Sequence, residues 1–120
     1  MTDDTRTTRD IITRFHNAFK AHCPEDLDDL IADDCVLENT APAPDGARYE
    51  GRQACLSFWK DIAASANLAF EDEEIWVSGE RGIIRWQLRW GDGDTARVRG
   101  VNIMRVRDGH IVEGLGYVKG

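Results

Sequence analysis

Cysteine is scarce and poorly spaced for its usual tasks. Cys23, Cys35 and Cys55 are the only three, an odd number with no C-x-x-C spacing. That excludes a disulfide framework and a thiolate zinc site, and the three read as small buried hydrophobes. Histidine is equally sparse. His16, His22 and His110 have no carboxylate or cysteine at ligand spacing, so neither a metal nor another cofactor is expected. No apolar run approaches the ~18–20 residues of a spanning helix, which argues against a membrane protein. Positive charge is also short. Fifteen Lys and Arg face 22 Asp and Glu, giving a net charge of −7, the wrong sign for neutralising phosphates, so nucleic acid is not an expected partner. The N-terminal MTDDTRTTRD is polar and has no apolar signal-peptide core. A soluble, cytoplasmic chain is expected.

What is present suits a single domain over residues 1–120. Ile11, Ile12, Phe15, Ala18, Phe19 and His22 recur every three or four residues, predicting a helix over 4–22. Pro24, Glu25 and Asp26 suit the first turn of a second helix with Leu27, Leu30 and Ile31 on its apolar side, stopped by Asp33 and Asp34. Cys35 to Asn39 reads as a strand. TAPAPDGARYEG then reads as a surface loop, and Arg52 to Ala66 as a third helix burying Cys55, Phe58, Trp59 and Ile62. After Asn67 the period becomes two. Four strands follow, joined by turns at Gly79–Gly82, at GDGD over 91–94 and at Asp108-Gly109. The acidic run Glu71 to Glu74 could attract a cation, but nothing nearby completes a ligand set, so it reads as a solvated strand edge or bulge. Helices first and hairpins later predict an α+β fold, with helices gathered on one face of a strongly curved sheet that closes over them as a cone. Such an interior is a natural small-molecule cavity.

The strand from Arg97 to Arg107 carries the functional question. Val98, Gly100, Asn102, Met104 and Val106 share one face, and Arg97, Arg99, Val101, Ile103, Arg105 and Arg107 the other. Asn102 is the polar exception on an apolar face. A buried amide needs partners or a ligand.

The order of elements, IADDCVLEN after the second helix, GRQACLSFW in the third and the terminal VNIMRVRDGHI resemble the SnoaL-like branch of the nuclear-transport-factor-two-like superfamily. The resemblance covers essentially the whole chain. It implies three N-terminal helices in the concave face of a curved antiparallel or mixed sheet, a cone or cystatin-like roll. Within the superfamily, the register of the ketosteroid isomerases can be laid on this chain. That family moves a proton next to a carbonyl, using a carboxylate base on the first strand and a Tyr with a protonated Asp to hold the enolate oxygen. Here the Tyr position is Phe15, the base position Asn39, the oxyanion Asp position Asn102, and a second pocket Tyr falls on Trp59. Amides can donate hydrogen bonds to a carbonyl, but they cannot act as the general base. Ketosteroid isomerase chemistry is therefore not expected. The polyketide cyclases of the branch rely on a pocket Asp and His, a pair with no placement here. The limonene-epoxide-hydrolase branch needs an Asp-Arg-Asp set, and Arg85 and Arg99 alternate onto the outer face.

The candidate pocket residues are Phe15, Phe19, Asn39, Phe58, Trp59, Trp86, Gly100, Asn102, Met104, Gly114, Gly116 and Val118. The isomerase register turns Val112, Gly114, Gly116 and Val118 inward on the last strand and Glu113 outward. The strand glycines either permit curvature or make room for a ligand. Glu38 and His16 are the candidates for an acid or base, Glu38 facing the cavity only if a bulge reorients it. On the outer face Val101, Ile103, Leu115, Tyr117 and Arg99 form a patch, and the resemblance implies a homodimer through it. Three functions remain open: an isomerase, cyclase, dehydratase or hydrolase acting on a small apolar carbonyl compound, a noncatalytic ligand-binding module, and a dimeric structural module.

Overall fold

The computed structural model, which describes residues 3–90 and 96–119, begins with helix α1 (Asp3–Lys20). Ile11, Ile12, Phe15, Ala18 and Phe19 form its buried stripe, as their spacing predicts. The helix ends two residues before His22 because His22 adopts the left-handed conformation, with φ at 55°. The Cys23 N–H then reaches back to the Ala18 carbonyl at 2.9 Å and the His22 N–H to the Phe19 carbonyl at 3.3 Å. These bonds satisfy the last helical carbonyls. The His22 Nδ1–H donates to the Ala63 carbonyl at 3.1 Å, tying the end of α1 to the next helix.

The helix expected from Pro24 is a single 3-10 turn, Pro24–Leu27. Leu27 and Leu30 are fully buried all the same, so the apolar pattern reports the core even where it misreports the element. Strand β1 starts at Ile31 and runs to Glu38, earlier than expected. Asp33 and Asp34 lie within it, exposed, at an irregularity between Ile31 and Val36. β2 (Arg48–Glu50) lies in the segment read as loop. Its three residues are too few to show alternation, yet they pair antiparallel with Val36–Glu38. Helix α2 (Arg52–Ala64) buries Cys55, Trp59 and Ala63. Strands β3 (Leu68–Ser78), β4 (Arg81–Trp90), β5 (Arg97–Arg107) and β6 (His110–Val118) complete the chain. The expected GDGD turn lies outside the described residues.

The six strands form one sheet in the order β2-β1-β6-β5-β4-β3. Neighbours are antiparallel except β1 and β6, which are parallel. The fold is α+β, a strongly curved mixed sheet with its helices on one face; two α-helices and one 3-10 turn stand where three helices were expected. Bulges increase local twist and bend a strand. One falls at Glu73, between the pairs Asp72–Trp86 and Glu74–Arg85. Another falls at Val112, between Arg105–Glu113 and Val106–Ile111. The second corrects the expected register. Ile111, not Val112, is the fully buried residue at that end of β6, because the bulge moves the inward position by one. Beyond the bulge Gly114 is inward and Glu113 pairs outward with Arg81, as the isomerase register implies.

All three cysteines are free. Burial pushes the Cys35 thiol far above its ordinary pKa, with the neighbouring Cys55 adding to the shift. No helix among the described residues is long and apolar enough to cross a membrane.

Candidate functional site

One end of the sheet is left open by the topology. The end of β1, the end of β6, the start of β5, the end of β4 and the start of β3 meet there, as the pairs Leu37–Gly114, Gly100–Val118, Leu88–Val98 and Leu68–Trp90 show. The second half of α1 and the middle of α2 cover that end. Between them is a cavity of about 160 Å³. An engineered apolar cavity of comparable size, ~150 Å³, admits benzene.

The cavity is mostly apolar and aromatic. Phe15, Phe19, Phe58, Trp59, Phe70 and Trp86 border it. Phe15 stands edge-on to Trp59 with centroids 4.9 Å apart, and Phe19 edge-on to Phe70 at 5.4 Å. The polar lining is Asn39, Thr40, Asn102, His16 and Glu38.

Two of these polar groups have a defined orientation. Trp86 Nε1–H can only donate, and it lies 3.2 Å from Asn102 Oδ1. The carboxamide is thereby turned so that Nδ2 is its free end, and among the described residues Nδ2 meets no acceptor. Asn39 is set in the same way, because its Oδ1 accepts the Thr40 N–H at 2.8 Å. Both amides therefore offer an NH₂ group. A Cβ on Gly116 would press on the Thr40 methyl at 3.2 Å and reach ordinary contact with Asn102 Oδ1 at 3.4 Å.

The two candidate acid–base groups differ sharply. Glu38 shares the outer-face register of Leu115, and its carboxylate pairs with Arg48 at 3.0 Å. His16 is 4 % exposed, and its Nε2 is buried with no hydrogen-bond partner among the described residues. Burial lowers its pKa from 6.5 to about 4; Asp72 opposes that shift and Lys20 adds to it. Its ring is neutral at pH 7. Asp72 is itself ion-paired to Lys20 at 2.7 Å, which holds its carboxyl below the usual carboxylate range.

Of the residues expected at the pocket, Phe15, Phe19, Asn39, Phe58, Trp59, Trp86, Asn102, Gly114 and Gly116 border the cavity. Gly100, Met104 and Val118 do not. A Cβ on Gly100 would lie 2.8 Å from the Trp86 indole, so that glycine seats the indole and leaves no open space. Met104 is fully buried in the core, and Val118 is exposed at the strand end. Gly114 seats Trp59 in the same manner, at 2.7 Å. Leu37, Ile62, Leu68, Phe70 and Leu88 also line the cavity. Leu88 is within reach of the sequence, since the alternation that turns Trp86 inward does the same two residues later. Val101, Ile103, Leu115 and Arg99 are half-buried on the opposite face and Tyr117 is exposed there. Among the described residues no cluster of His, Cys, Asp and Glu could hold a metal ion.

The match to a SnoaL-like domain extends over residues 12–114, nearly the whole chain. The chain belongs to the SnoaL-like family. Its structure is similar to that of an NTF2-like protein of unknown function from Mesorhizobium loti, which is 51% identical; the match covers 100% of this chain and 97% of that one, with a TM-score of 0.93. An LEH-like epoxide hydrolase from M. tuberculosis shares 20% identity over 99% of this chain and 83% of its own, with a TM-score of 0.75. A de novo designed protein with a curved β-sheet shares 18% identity, covering 99% and 88%, at a TM-score of 0.77. The last two show the fold alone, and a SnoaL-like fold hosts unrelated functions. No curated protein matches the chain at a significant level.

Proposed function

We propose that this SnoaL-like chain binds a small, mostly apolar molecule of about one ring in its cavity, and that the NH₂ groups of Asn102 and Asn39 hold an acceptor oxygen on that molecule. The bond from Trp86 Nε1 to Asn102 carries this reading, because it points the donor end of the amide away from the indole. A cytoplasmic setting is part of the reading, supported by three unpaired cysteines. Binding is favoured over an isomerase step. The side chains at the isomerase acid and base positions are amides, and the carboxylate of Glu38, which borders the cavity, is paired with Arg48 on the other face.

The reading is tested with acetophenone and ethylbenzene, two rings of nearly equal size of which only the first carries an oxygen. Acetophenone is expected to bind the wild type more tightly. The preference shrinks about three- to tenfold in Asn102→Leu, the equivalent of one neutral hydrogen bond. Failure of the wild type to bind either compound, or an unchanged preference in the variant, rejects the reading.

The outer face supports a second part of the proposal, a homodimer. Val101 pairs with Tyr117 and Ile103 with Leu115 across β5 and β6, giving an apolar strip with Tyr117 53 % exposed. Around it Glu73 is bonded to both Arg85 and Arg99, so a second copy would meet paired charges at the rim. Light scattering is expected to give twice the chain mass at micromolar concentration, falling toward one chain mass in Tyr117→Asp. A monomeric wild type removes this part and leaves the cavity untouched.

A further inference from the structure

His16 is the polar group that the cavity leaves least explained. Helix α1 places it beside Phe15 at the cavity wall. Its Nε2 is buried and, among the described residues, has no hydrogen-bond partner. Leaving a buried polar nitrogen unpaired costs ~1–3 kcal/mol, and a leucine or phenylalanine would pack at this site without that cost. Its surroundings do not remove the deficit. The ring stands edge-on to Phe70 with centroids 6.5 Å apart, and the Asp72 carboxylate opposite is hydrogen-bonded to Lys20. The deficit also has a definite place relative to Asn102. Phe70 lies between His16 and Trp86, its centroid 6.4 Å from the Trp86 ring system, and Trp86 in turn bonds Asn102. The imidazole and the amide thus border the same aromatic wall of Phe70 and Trp86.

We propose that His16 is a second polar anchor of the cavity, and that the natural ligand is a one-ring compound with polar groups at both ends: a carbonyl-type oxygen held by the amides and a hydroxyl bonded to His16 Nε2. This rests on the binding reading above and names the ligand class for it. A hydroxyl fits the site because it both donates and accepts. It can therefore satisfy Nε2 in either neutral tautomer, whereas a second carbonyl could satisfy only the protonated one. The apolar body between the two ends lies against Phe70 and Trp86. Neither end needs a charge, in keeping with a wall whose single carboxylate, Glu38, is turned outward to Arg48.

The probes are acetophenone and its 3-hydroxy and 4-hydroxy derivatives, titrated at pH 7 by calorimetry into wild type, His16→Leu and His16→Gln. At least one hydroxy derivative is expected to bind the wild type about tenfold more tightly than acetophenone. That ratio falls to about one in His16→Leu and is partly restored in His16→Gln, which keeps a polar end. The affinity of acetophenone for each protein is the reference against which that ratio is taken. The ratio between probes is insensitive to a general loosening of the helix, and thermal melting confirms that each variant is folded. A shift of the imidazole Nε2 resonance on adding the hydroxy compound, absent with acetophenone, is the second expected readout. If acetophenone binds but neither derivative gains, or if the gain survives in His16→Leu, the inference about His16 is overturned while the binding reading stands. If none of the three compounds binds the wild type, both fall.

Discussion

Between pH 6.5 and pH 4 the unfolding free energy of the wild type falls by about 3 kcal/mol more than that of His16→Leu. The source is the buried imidazole. In the unfolded chain it takes up a proton near its ordinary pKa of 6.5, but in the folded protein only near about 4. Between those values the unfolded state holds the extra proton, so stability rises with pH across the window. The contribution is fully present above 6.5 and is lost as pH falls to about 4, at ~1.4 kcal/mol for each step of one in pH. Burial is the main cause; the Asp72 charge opposes it and the Lys20 charge reinforces it. Three carboxylates act in the same direction at lower pH. Asp34, Asp72 and Glu73 are held below their ordinary values by bonds from Arg107, Lys20 and Arg99 respectively. Their contributions persist above the ordinary carboxylate range and disappear as pH drops through the lowered values, mostly beneath the histidine window. Urea unfolding of both proteins at half-unit steps checks the prediction. Parallel curves would show that the ring reaches water after all.

The second large effect is at Gly46. Gly46→Ala is expected to lose more than about 2 kcal/mol of stability, a multiple of the loss in Gly79→Ala. Both glycines have positive φ, +81° and +59°, and a side chain in that region costs ~1–2 kcal/mol wherever it occurs. They differ in their surroundings. A Cβ on Gly79 meets nothing within 4 Å, whereas one on Gly46 would lie 1.8 Å from the Asn39 carbonyl oxygen. That overlap is with backbone, so the loop must move. Moving it strains three bonds: Asn39 N–H to Ala47 O at 2.8 Å, Gly46 N–H to Pro42 O at 2.7 Å, and Ala47 N–H to Ala41 O at 3.0 Å. Because Asn39 anchors that loop at the cavity rim, acetophenone binding should weaken together with stability. Equal losses in the two alanine variants would mean that the loop yields freely.

The inner face of β5 is legible in the sequence because an eleven-residue strand alternates long enough to declare its two sides. The same period places Trp86, and the resemblance to the isomerases brings Phe15, Asn39, Trp59 and Asn102 to one place, where the structure also puts them. The bulge at Val112 has no such signal, because an inserted residue has no local composition and is defined only by its partner strand. Leu30 and Ile31 read as helical because Leu27, Leu30 and Ile31 fit a helical stripe as well as they fit a turn running into a strand. His16 stands out from its position beside Phe15, but the groups that set its protonation do not. Phe70 and Asp72 come from β3, far along the chain, and only the curvature of the sheet returns them to α1.

The bulge and the acidic run of β3 bear on behaviour at high concentration. β3 is eleven residues long and forms one edge of the sheet, the other edge being the three-residue β2. A long free edge is a template on which another chain can add a strand and begin a fibre. Here the edge carries four consecutive acidic residues, Glu71 to Glu74, and is broken in the middle by the extra residue Glu73. A second copy approaching in register would find its hydrogen-bond ladder interrupted at Glu73. The bulge that bends this strand over the cavity is thus also a break in the edge that disfavours strand addition.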